Sequence, residues 1–426
     1  MFRKTPLAAA MLILAASPVL ADNFSLQIQS GQENSAAVQQ IGGRANVVQG
    51  QTGVRNDAQS VQVGSAGTVG QAQIGANNRL DADQYRAGNG SLIKQVQDGQ
   101  ENDGHASQFG GRANTIWQFQ QGHGHDSSAV QLGGAHNTAT TRQQGAFNDA
   151  SIRQELHGSH NRALIDQQGA HHQASAIQTL NDGGVIEIQQ QGNLHSIRVY
   201  QYDTGNNQVT TLQDGVNSSA LISQIEQVGS QIDVQQLGSL QVVDAHQFQA
   251  DHSRITTLQT GEANNLYVQQ TRGANLSATL TQQGVGNRHE LEQSGQGNTA
   301  NVGAYGDFNR GLVAQTGSYN ELYFDQNGSD NLLIADQRGS YNSFAGNSSG
   351  TENVVNLDQG GSYNRAHAYQ SGHLNTADLV QSGGFNSAYV SQAGSLNHAV
   401  ITQAGYNQVS NIHQFGTANQ AIATQR

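Results

Sequence analysis

The sequence predicts an all-β fold, a two-sided parallel β-solenoid with cross-β stacking. Three observations predict it. A glutamine recurs every eleven residues from Gln282 to Gln425, apolar and polar residues alternate between these glutamines, and a larger period of 22–23 residues runs through the middle of the chain. Because self-similarity at a fixed period is typical of repeat architectures, we expect one two-strand unit, or rung, stacked many times.

The eleven-residue unit is defined by an anchor glutamine, a glycine two residues later and an asparagine five residues later. Ala304 and Ser348 replace the anchor, and Gln408 replaces the asparagine. The anchors are Gln282, Gln293, Gln315, Gln326, Gln337, Gln359, Gln370, Gln381, Gln392, Gln403, Gln414 and Gln425. The asparagines are Asn287, Asn298, Asn309, Asn320, Asn331, Asn342, Asn353, Asn364, Asn375, Asn386, Asn397 and Asn419. We expect these amides to bond to the amides above and below them and to form the self-assembly ladder of the protein.

Between the asparagine and the next anchor the residues alternate with period two. Val355 and Leu357 are apolar, whereas Asn356 and Asp358 are polar. Such alternation over seven residues predicts a half-buried strand whose inward face carries the amides. The four residues after each anchor are expected to form a turn in which glycine permits a positive φ. The glycines expected in this role are Gly317, Gly339, Gly361, Gly383 and Gly405.

Two units make one rung. The motif Gly-Ser-Tyr-Asn occurs at 317–320, 339–342 and 361–364, with a spacing of 22 residues. Further toward the N-terminus the anchors alternate intervals of 11 and 12 residues, and the glycine survives mostly at every second anchor. The sequence therefore predicts about 18 rungs of 22–23 residues, each with two strands and two unlike turns.

The N-terminus lies outside the repeat. Arg3 and Lys4 precede a short apolar run, and small residues precede Asp22. This pattern predicts a secretory signal peptide at 1–21, because the apolar run is too short to span a bilayer. No later segment is apolar enough to cross a membrane, so we expect one repeat domain over 22–426 and no membrane span.

Composition excludes several classes of protein. Charged residues make up 12% of the chain, the net charge is −12, and there is no cysteine. Both prolines lie within residues 1–21. The acidic balance argues against nucleic acid as a partner, since no basic face is present. The absence of cysteine means that backbone pairing and packing must hold a secreted chain together.

The unit Gln370–Gln381, with sequence QSGHLNTADLVQ, resembles the curlin repeat, Gln-x-Gly-x-x-Asn-x-Ala-x-x-x-Gln. The resemblance implies an amyloid-like structural subunit, secreted by a Gram-negative bacterium and polymerised outside the cell into curli fibres for biofilm matrix and adhesion. It also implies partners, namely further copies of the chain, a nucleating or major curlin subunit, and curli secretion and chaperone proteins. No cofactor is implied.

The chain departs from the family in two ways. Curlin subunits are usually much shorter, with only a few rungs. The major curlin subunit usually carries a glycine-rich leader after its signal peptide, whereas Phe24–Gln29 already predicts a strand. The last residues, Ala421–Arg426, are similar to the end of the nucleator-type subunit. The sequence leaves open whether the chain is a major or a nucleating subunit.

Other functions receive less support from the residues. Glu290 and Glu292 are expected on a solvated outer face, and no carboxylate pair marks a catalytic cleft, so we expect no enzyme. Histidines are concentrated between 105 and 172, and we expect solvated turn residues there, with a transition-metal site as the alternative. The histidines considered for such a site are His123, His125, His157, His160, His171 and His172.

The remaining alternative is a monomeric capped β-solenoid that acts as an adhesin or as an ice- or glycan-binding rod. Monomeric solenoids hide their end strands under a cap. The repeat here begins near Asp22 and its last anchor is Gln425, so we expect fibre assembly instead. Trp117 is expected on a strand face. An aromatic series is expected to stack along one edge rather than to bind sugars, and its members are Tyr319, Tyr341, Tyr363 and Phe385.

Overall fold

A computed structural model describes residues 22–156 and 158–426, and the expected signal peptide at 1–21 lies outside the described residues. The described residues form 36 strands and no helix, which confirms the all-β prediction. Accordingly, this part of the chain offers no helix with the length and apolarity needed to cross a membrane. Two compact units divide the chain, the first ending at Val209 and the second beginning at Thr210.

The first unit contains strands β1 to β16. Their bounds are β1 (Asn23–Gln32), β2 (Ser35–Gly43), β3 (Ala45–Val54), β4 (Asp57–Ser65), β5 (Thr68–Ala76), β6 (Arg79–Tyr85), β7 (Leu92–Gln100), β8 (Asp103–Phe109), β9 (Thr115–His123), β10 (Asp126–Leu132), β11 (Thr138–Ala146), β12 (Asp149–Glu155), β13 (Arg162–Ala170), β14 (Gln173–Thr179), β15 (Val185–Asn193) and β16 (Ser196–Tyr202). Strand β17 (Gln208–Val216) includes the boundary between the units.

The second unit contains strands β18 to β36. Their bounds are β18 (Ser219–Ile225), β19 (Gln231–Ser239), β20 (Val242–Asp251), β21 (Arg254–Glu262), β22 (Asn265–Ala274), β23 (Ser277–Val285), β24 (Arg288–Gln296), β25 (Thr299–Asp307), β26 (Arg310–Ser318), β27 (Glu321–Ser329), β28 (Leu332–Ser340), β29 (Ser343–Thr351), β30 (Val354–Ser362), β31 (Arg365–His373), β32 (Thr376–Gly384), β33 (Ser387–Ser395), β34 (His398–Tyr406), β35 (Val409–Thr417) and β36 (Gln420–Gln425).

Within each unit, every strand pairs in parallel with the strand two places further along the chain. In the first unit the odd strands β1 to β15 form one sheet and the even strands β2 to β16 form the other. In the second unit β19 to β35 and β18 to β36 pair in the same way. The predicted two-sided parallel β-solenoid is confirmed, and the 36 strands match the predicted number of rungs.

The core of each unit lies between its two sheets. In β30, Val355 and Leu357 are buried together with the anchor Gln359, whereas Asn356 and Asp358 face outward. Parallel pairing in register places Gln359 beside Gln381 and Val355 beside Ala377. The inward face therefore has an apolar centre with an amide row on each flank.

The connections are shorter than the sequence predicted. From β23 to β35 each strand has nine residues, and two residues separate it from the next. After β30, for example, only Tyr363 and Asn364 lie outside strands, while Gly361 still pairs in register with Gly339. The predicted seven-residue strand with a four-residue turn is wrong here, because the backbone ladder continues past the anchor and the glycine. We call this two-residue link a tight connection.

A longer link occurs in the first unit. The even strands from β6 to β16 have seven residues, whereas the odd strands from β5 to β15 have nine. Five residues, Gly110–Asn114, join β8 to β9, and two residues join β9 to β10. We call this link a wide connection, and it has six residues after β6 and β12. With five residues it shortens one strand by two residues and lengthens the rung by one, which explains the alternating intervals of 11 and 12 residues.

Candidate self-assembly interface

The anchor glutamines form hydrogen-bonded rows inside each unit. In the even sheet of the second unit, Nε2 of Gln337 donates to Oε1 of Gln359 at 2.8 Å, and Nε2 of Gln359 donates to Oε1 of Gln381 at 2.8 Å. The second hydrogen on Nε2 of Gln359 is donated across the core to the Ser343 carbonyl oxygen at 3.2 Å. Both sides of the buried amide are thereby satisfied. The row follows Gln293, Gln315, Gln337, Gln359, Gln381, Gln403 and Gln425.

The corresponding row in the odd sheet is interrupted. Its anchors are Gln282, Gln326, Gln370, Gln392 and Gln414, with Ala304 and Ser348 at two positions. Oγ of Ser348 donates to Oε1 of Gln370 at 2.9 Å, which preserves one bond. Ala304 has no amide to donate to Gln326.

A buried histidine supplies the donor that Ala304 lacks. Nε2 of His289, on the opposite sheet, donates to Oε1 of Gln326 at 3.2 Å. The next residue in register with His289 is Gly311, where a Cβ would lie 2.8 Å from Cδ2 of His289. Burial lowers the pKa of His289 to about 4. Ala304, His289 and Gly311 therefore act together to fill the gap in the row.

The asparagine rows donate in the opposite direction. The backbone N–H and Nδ2 of Asn375 both donate to Oδ1 of Asn353, at 3.1 and 3.0 Å. Within the rows, glutamine amides thus donate to the amide of the following rung and asparagine amides to that of the preceding one, while Nδ2 of Asn375 also donates to the Gly394 carbonyl oxygen of the following rung at 3.0 Å. One row contains Asn287, Asn309, Asn331, Asn353, Asn375, Asn397 and Asn419, and the other contains Asn298, Asn320, Asn342, Asn364 and Asn386 followed by Gln408.

The glycines assigned to turns lie at the ends of strands. Their φ angles are 111° for Gly317, 108° for Gly339, 93° for Gly361, 92° for Gly383 and 151° for Gly405. A Cβ on Gly361 would lie 2.0 Å from the carbonyl oxygen of Gly383 on the neighbouring strand. The prediction that these glycines are turn residues is therefore corrected: positive φ favours glycine at all five, and close approach of the next strand requires it at Gly317, Gly339, Gly361 and Gly383.

The left-handed residue of the tight connection is a different one, which the sequence reasoning missed. It immediately precedes the asparagine, as in Tyr341 with φ 55° and Leu374 with φ 54°. No Val, Ile or Thr occurs at this position from Phe308 to Ala418, and this pattern could have revealed it, since β-branched residues avoid positive φ. The aromatic series occupies this position, with ring centroids 4.8–5.1 Å apart from Tyr319 through Tyr341 and Tyr363 to Phe385.

Three histidines occupy asparagine positions of the first unit and are buried. They are His125, His172 and His195. Nε2 of His172 contacts the Gln168 carbonyl oxygen at 3.1 Å, and Nδ1 accepts the N–H of His195 at 3.3 Å. This arrangement requires a neutral ring, and burial lowers the pKa of His172 to about 4.

The expectation that the histidines are solvated is wrong for His125 and His172, because the amide rows draw them inward. His160 and His171 are exposed, and His157 lies outside the described residues. Within the described ranges, no three His, Cys, Asp or Glu side chains are grouped so that they could hold a metal ion.

On the C-terminal face of the second unit, formed by β35 and β36, the glutamine amides form fewer hydrogen bonds than those of inner rungs. Oε1 of Gln425 accepts from Gln403, and Nε2 of Gln425 donates to the Val409 carbonyl oxygen at 3.0 Å. In inner rungs the same nitrogen also donates to the next glutamine. Gln414 is placed in the same way. Oε1 of Gln408 is buried without a hydrogen-bond partner among the described residues.

The N-terminal face of the first unit, formed by β1 and β2, carries the complementary groups. Nε2 of Gln29 donates to Gln51 at 2.7 Å, and Nε2 of Gln40 donates to Gln62 at 2.9 Å. Their Oε1 atoms lie on the side away from these bonds, where inner glutamines accept a further amide. In inner rungs the backbone N–H of the asparagine donates to an amide oxygen of the preceding rung. The backbone N–H of Asn34 has no acceptor among the described residues.

Comparison with protein families found the curlin associated repeat at residues 134–169 and 372–405. A comparison with curated proteins found no match. The two matched segments share the parallel two-strand rungs, the anchor glutamines and the strand-end glycines described above. The chain therefore contains curlin associated repeats in both compact units.

Proposed function

We propose that the chain is a structural subunit of an extracellular functional amyloid fibre that grows by end-to-end stacking of identical copies. The observation that carries the proposal is the complementarity of the two end faces. The C-terminal face offers N–H groups of Gln414 and Gln425, and the N-terminal face offers Oε1 of Gln29 and Gln40. Head-to-tail contact pairs these donors with these acceptors.

The rows also define a register. If β1 of a second copy follows β35, Gln29 lies beside Gln414 and the N–H of Asn23 approaches the unpartnered Oε1 of Gln408. On the other sheet β2 follows β36, which places Gln40 beside Gln425 and Asn34 beside Asn419. Both ladders then continue without a change of fold, by strand addition. Because this interface is heterologous and translational, repeated addition produces an open fibre.

The biological setting is proposed from the family. Residues 1–21 are proposed as a cleaved signal peptide, followed by export through the outer membrane of a Gram-negative bacterium and deposition at the cell surface for biofilm matrix and adhesion. A nucleating or major curlin subunit and curli secretion and chaperone proteins are the proposed partners. We propose no catalytic role.

The experiment is seeded growth of the Ile422→Pro variant. The N–H of His398 donates to the Asn419 carbonyl oxygen in the following rung. Every second N–H of a parallel strand points to the same neighbour, so the N–H groups that point to the following rung start at His398 and recur at every second residue. Ile422 is two residues beyond Gln420, the counterpart of His398, so its N–H faces away from β34. Proline there removes a donor that the folded chain does not use. We expect a folded monomer by circular dichroism and no elongation of wild-type seeds.

The matched control is Val400→Pro, one rung earlier, where the N–H serves the pairing of β34 with β36. This change should destabilise the monomer itself. A folded Ile422→Pro chain that elongates seeds at the wild-type rate would show that the C-terminal face is not a growth surface, and it would favour the monomeric adhesin or binding rod.

A further inference from the structure

The first unit has a surface cavity on its odd sheet that the amide rows do not explain. It has a volume of about 400 Å³ and lies over β9, β11 and β13. Trp117, Thr140 and Leu164 occupy the same outward position on these three neighbouring strands. Trp117 is the only tryptophan of the chain, and its side chain is 47% exposed. All of the cavity lies within the first unit.

The shape of the cavity follows from the side chains on its three strands. Nζ of Lys94 lies over the Trp117 ring, 5.0 Å from the ring centroid, so one face of the indole is covered. The other face of the indole is on the side of Thr140, the next residue in register. Because the side chain of Thr140 is short, space remains between Trp117 and Leu164. Trp117 and Leu164 are two strand spacings apart, about 9.6 Å, which leaves a slot for one flat ring after the thickness of both side chains is subtracted.

Charged groups line one side of this slot. Arg142 and Asp166 are in register on β11 and β13, and both contribute to the cavity. Among the described residues neither forms an ion pair within 4.0 Å, although they are neighbours. Oδ1 of Asp166 is buried and has no hydrogen-bond partner among the described residues. A buried carboxylate oxygen without a hydrogen-bond partner is unsatisfied, so a donor that reached this carboxylate would be favourable.

We propose that this slot binds a pyranose ring of a neutral polysaccharide. The apolar C–H face of the sugar stacks on the open face of Trp117, and its ring edge presents hydroxyl groups to the other lining groups. One hydroxyl donates to the carboxylate of Asp166, and the guanidinium of Arg142 donates to another. A guanidinium and a carboxylate together match a neutral ligand with donors and acceptors on adjacent carbons. A flat apolar molecule would leave the Asp166 oxygen without a donor.

Trp117 itself reports on the test, because no other tryptophan contributes to the fluorescence. The purified, unassembled chain is titrated with cellohexaose and, separately, with maltohexaose, and tryptophan emission is recorded. We expect a saturable change with at least one of these neutral hexasaccharides. Thr140→Ile, which fills the slot and keeps the reporter, and Asp166→Asn, which weakens the acceptor, should each reduce the apparent affinity about tenfold or more.

The matched control is Thr279→Ile, at the equivalent outward position of β23 in the second unit, which should bind like the wild type. Emission that does not saturate with either sugar would overturn the proposal, as would wild-type affinity in Thr140→Ile. The site does not depend on fibre assembly, since the measurement uses unassembled chains. Loss of seeded growth and loss of sugar binding are therefore separate outcomes.

Discussion

Two regions of the molecule use the same amide rows with different connections. Residues 276–425 have tight connections on both edges, whereas residues 79–207 have a tight connection on one edge and a wide connection on the other. The glycine after the anchor is invariant in the first of these regions. In the second it is replaced, at four wide connections, by Arg86, Leu156, Leu180 and Asp203.

The backbone angles explain this difference. At tight connections the second residue after the anchor has φ near 110°, as in Gly317 and Gly339, and it stays paired to the next strand. At wide connections the strand has already ended, and Leu180 adopts φ 52°, a left-handed conformation open to other residues. Glycine is therefore found where the neighbouring strand is close, and the amide rows do not require it.

The largest expected effect compares the same position in the two regions. Gly361→Ala would place a Cβ 2.0 Å from the Gly383 carbonyl oxygen, whereas a Cβ on Gly110, which has φ 66°, would meet no atom within 4 Å. We expect Gly361→Ala to lower the free energy of unfolding by more than about 3 kcal/mol and Gly110→Ala by about 1 kcal/mol. Denaturant unfolding measures both, and equal losses would contradict the proposed role of strand proximity.

The amide rows should be equally important in both regions. Gln392 bonds to Gln370 and Gln414, and Gln167 bonds to Gln143 and Gln190 in the same geometry. Replacement of either Gln392 or Gln167 by alanine should cost about 1–3 kcal/mol for each group left unsatisfied. Outward Ser391→Ala is the control in unfolding and seeded-growth measurements. Were Ser391→Ala as damaging as Gln392→Ala, the inward and outward faces would be wrongly assigned.

A pH effect should distinguish the histidine-containing rows from the asparagine rows. The pKa of His172 is about 4 in the folded chain and near its ordinary value of 6.5 when unfolded. The unfolded chain therefore binds more protons between these values, and stability falls as pH drops from 6.5 to 4. His172→Asn should remove about 1–2 kcal/mol of that loss.

The control for this titration is His171→Asn, which changes an exposed neighbouring ring. Desolvation raises the pKa of Asp149 and Asp126, which favours the folded chain in acid, but these carboxyl groups are common to all variants and cancel in the comparison. An identical pH profile for the wild type and His172→Asn would show that His172 does not titrate on unfolding.

The smallest effect concerns the left-handed residue of tight connections. Leu374 has φ 54°, which asparagine tolerates better than leucine and which valine tolerates least. We expect Leu374→Asn to raise the free energy of unfolding by less than about 1 kcal/mol and Leu374→Val to lower it by about 1 kcal/mol or more. Shifts in the melting temperature measure both changes. The reverse order would contradict the assigned connection geometry.

Much of the fold could be predicted from sequence because the rung is periodic. The inward positions of Val355, Leu357 and Gln359 follow from alternation, and the two-strand rung follows from the 22-residue spacing. The connection length could not be read in this way, since glycine after the anchor is equally typical of a turn. The group that requires glycine at position 361 is the carbonyl oxygen of Gly383 on the neighbouring strand, which is distant in sequence.

The candidate interface could also be predicted from the sequence only in part. The amide rows were predictable from residue spacing, but their opposite donor directions depend on side-chain geometry that spacing does not encode. The inward position of His172 was missed because histidine is usually polar and solvated, although it stands at an asparagine position. The partnership of His289 with Gln326 crosses between sheets, and no local pattern marks it.

Disulfide trapping is the most direct test of head-to-tail stacking in the ladder register. Thr417 on β35 and Gln32 on β1 of the next copy would be register partners, with Cα atoms about 4.8 Å apart, within the range of a disulfide. The chain has no cysteine of its own. Fibres of the Gln32→Cys, Thr417→Cys double variant should give a covalent series of multimers after oxidation, and fibres of either single variant should give none. Dimers from a single variant, or fibres of the double variant without cross-links, would contradict the account.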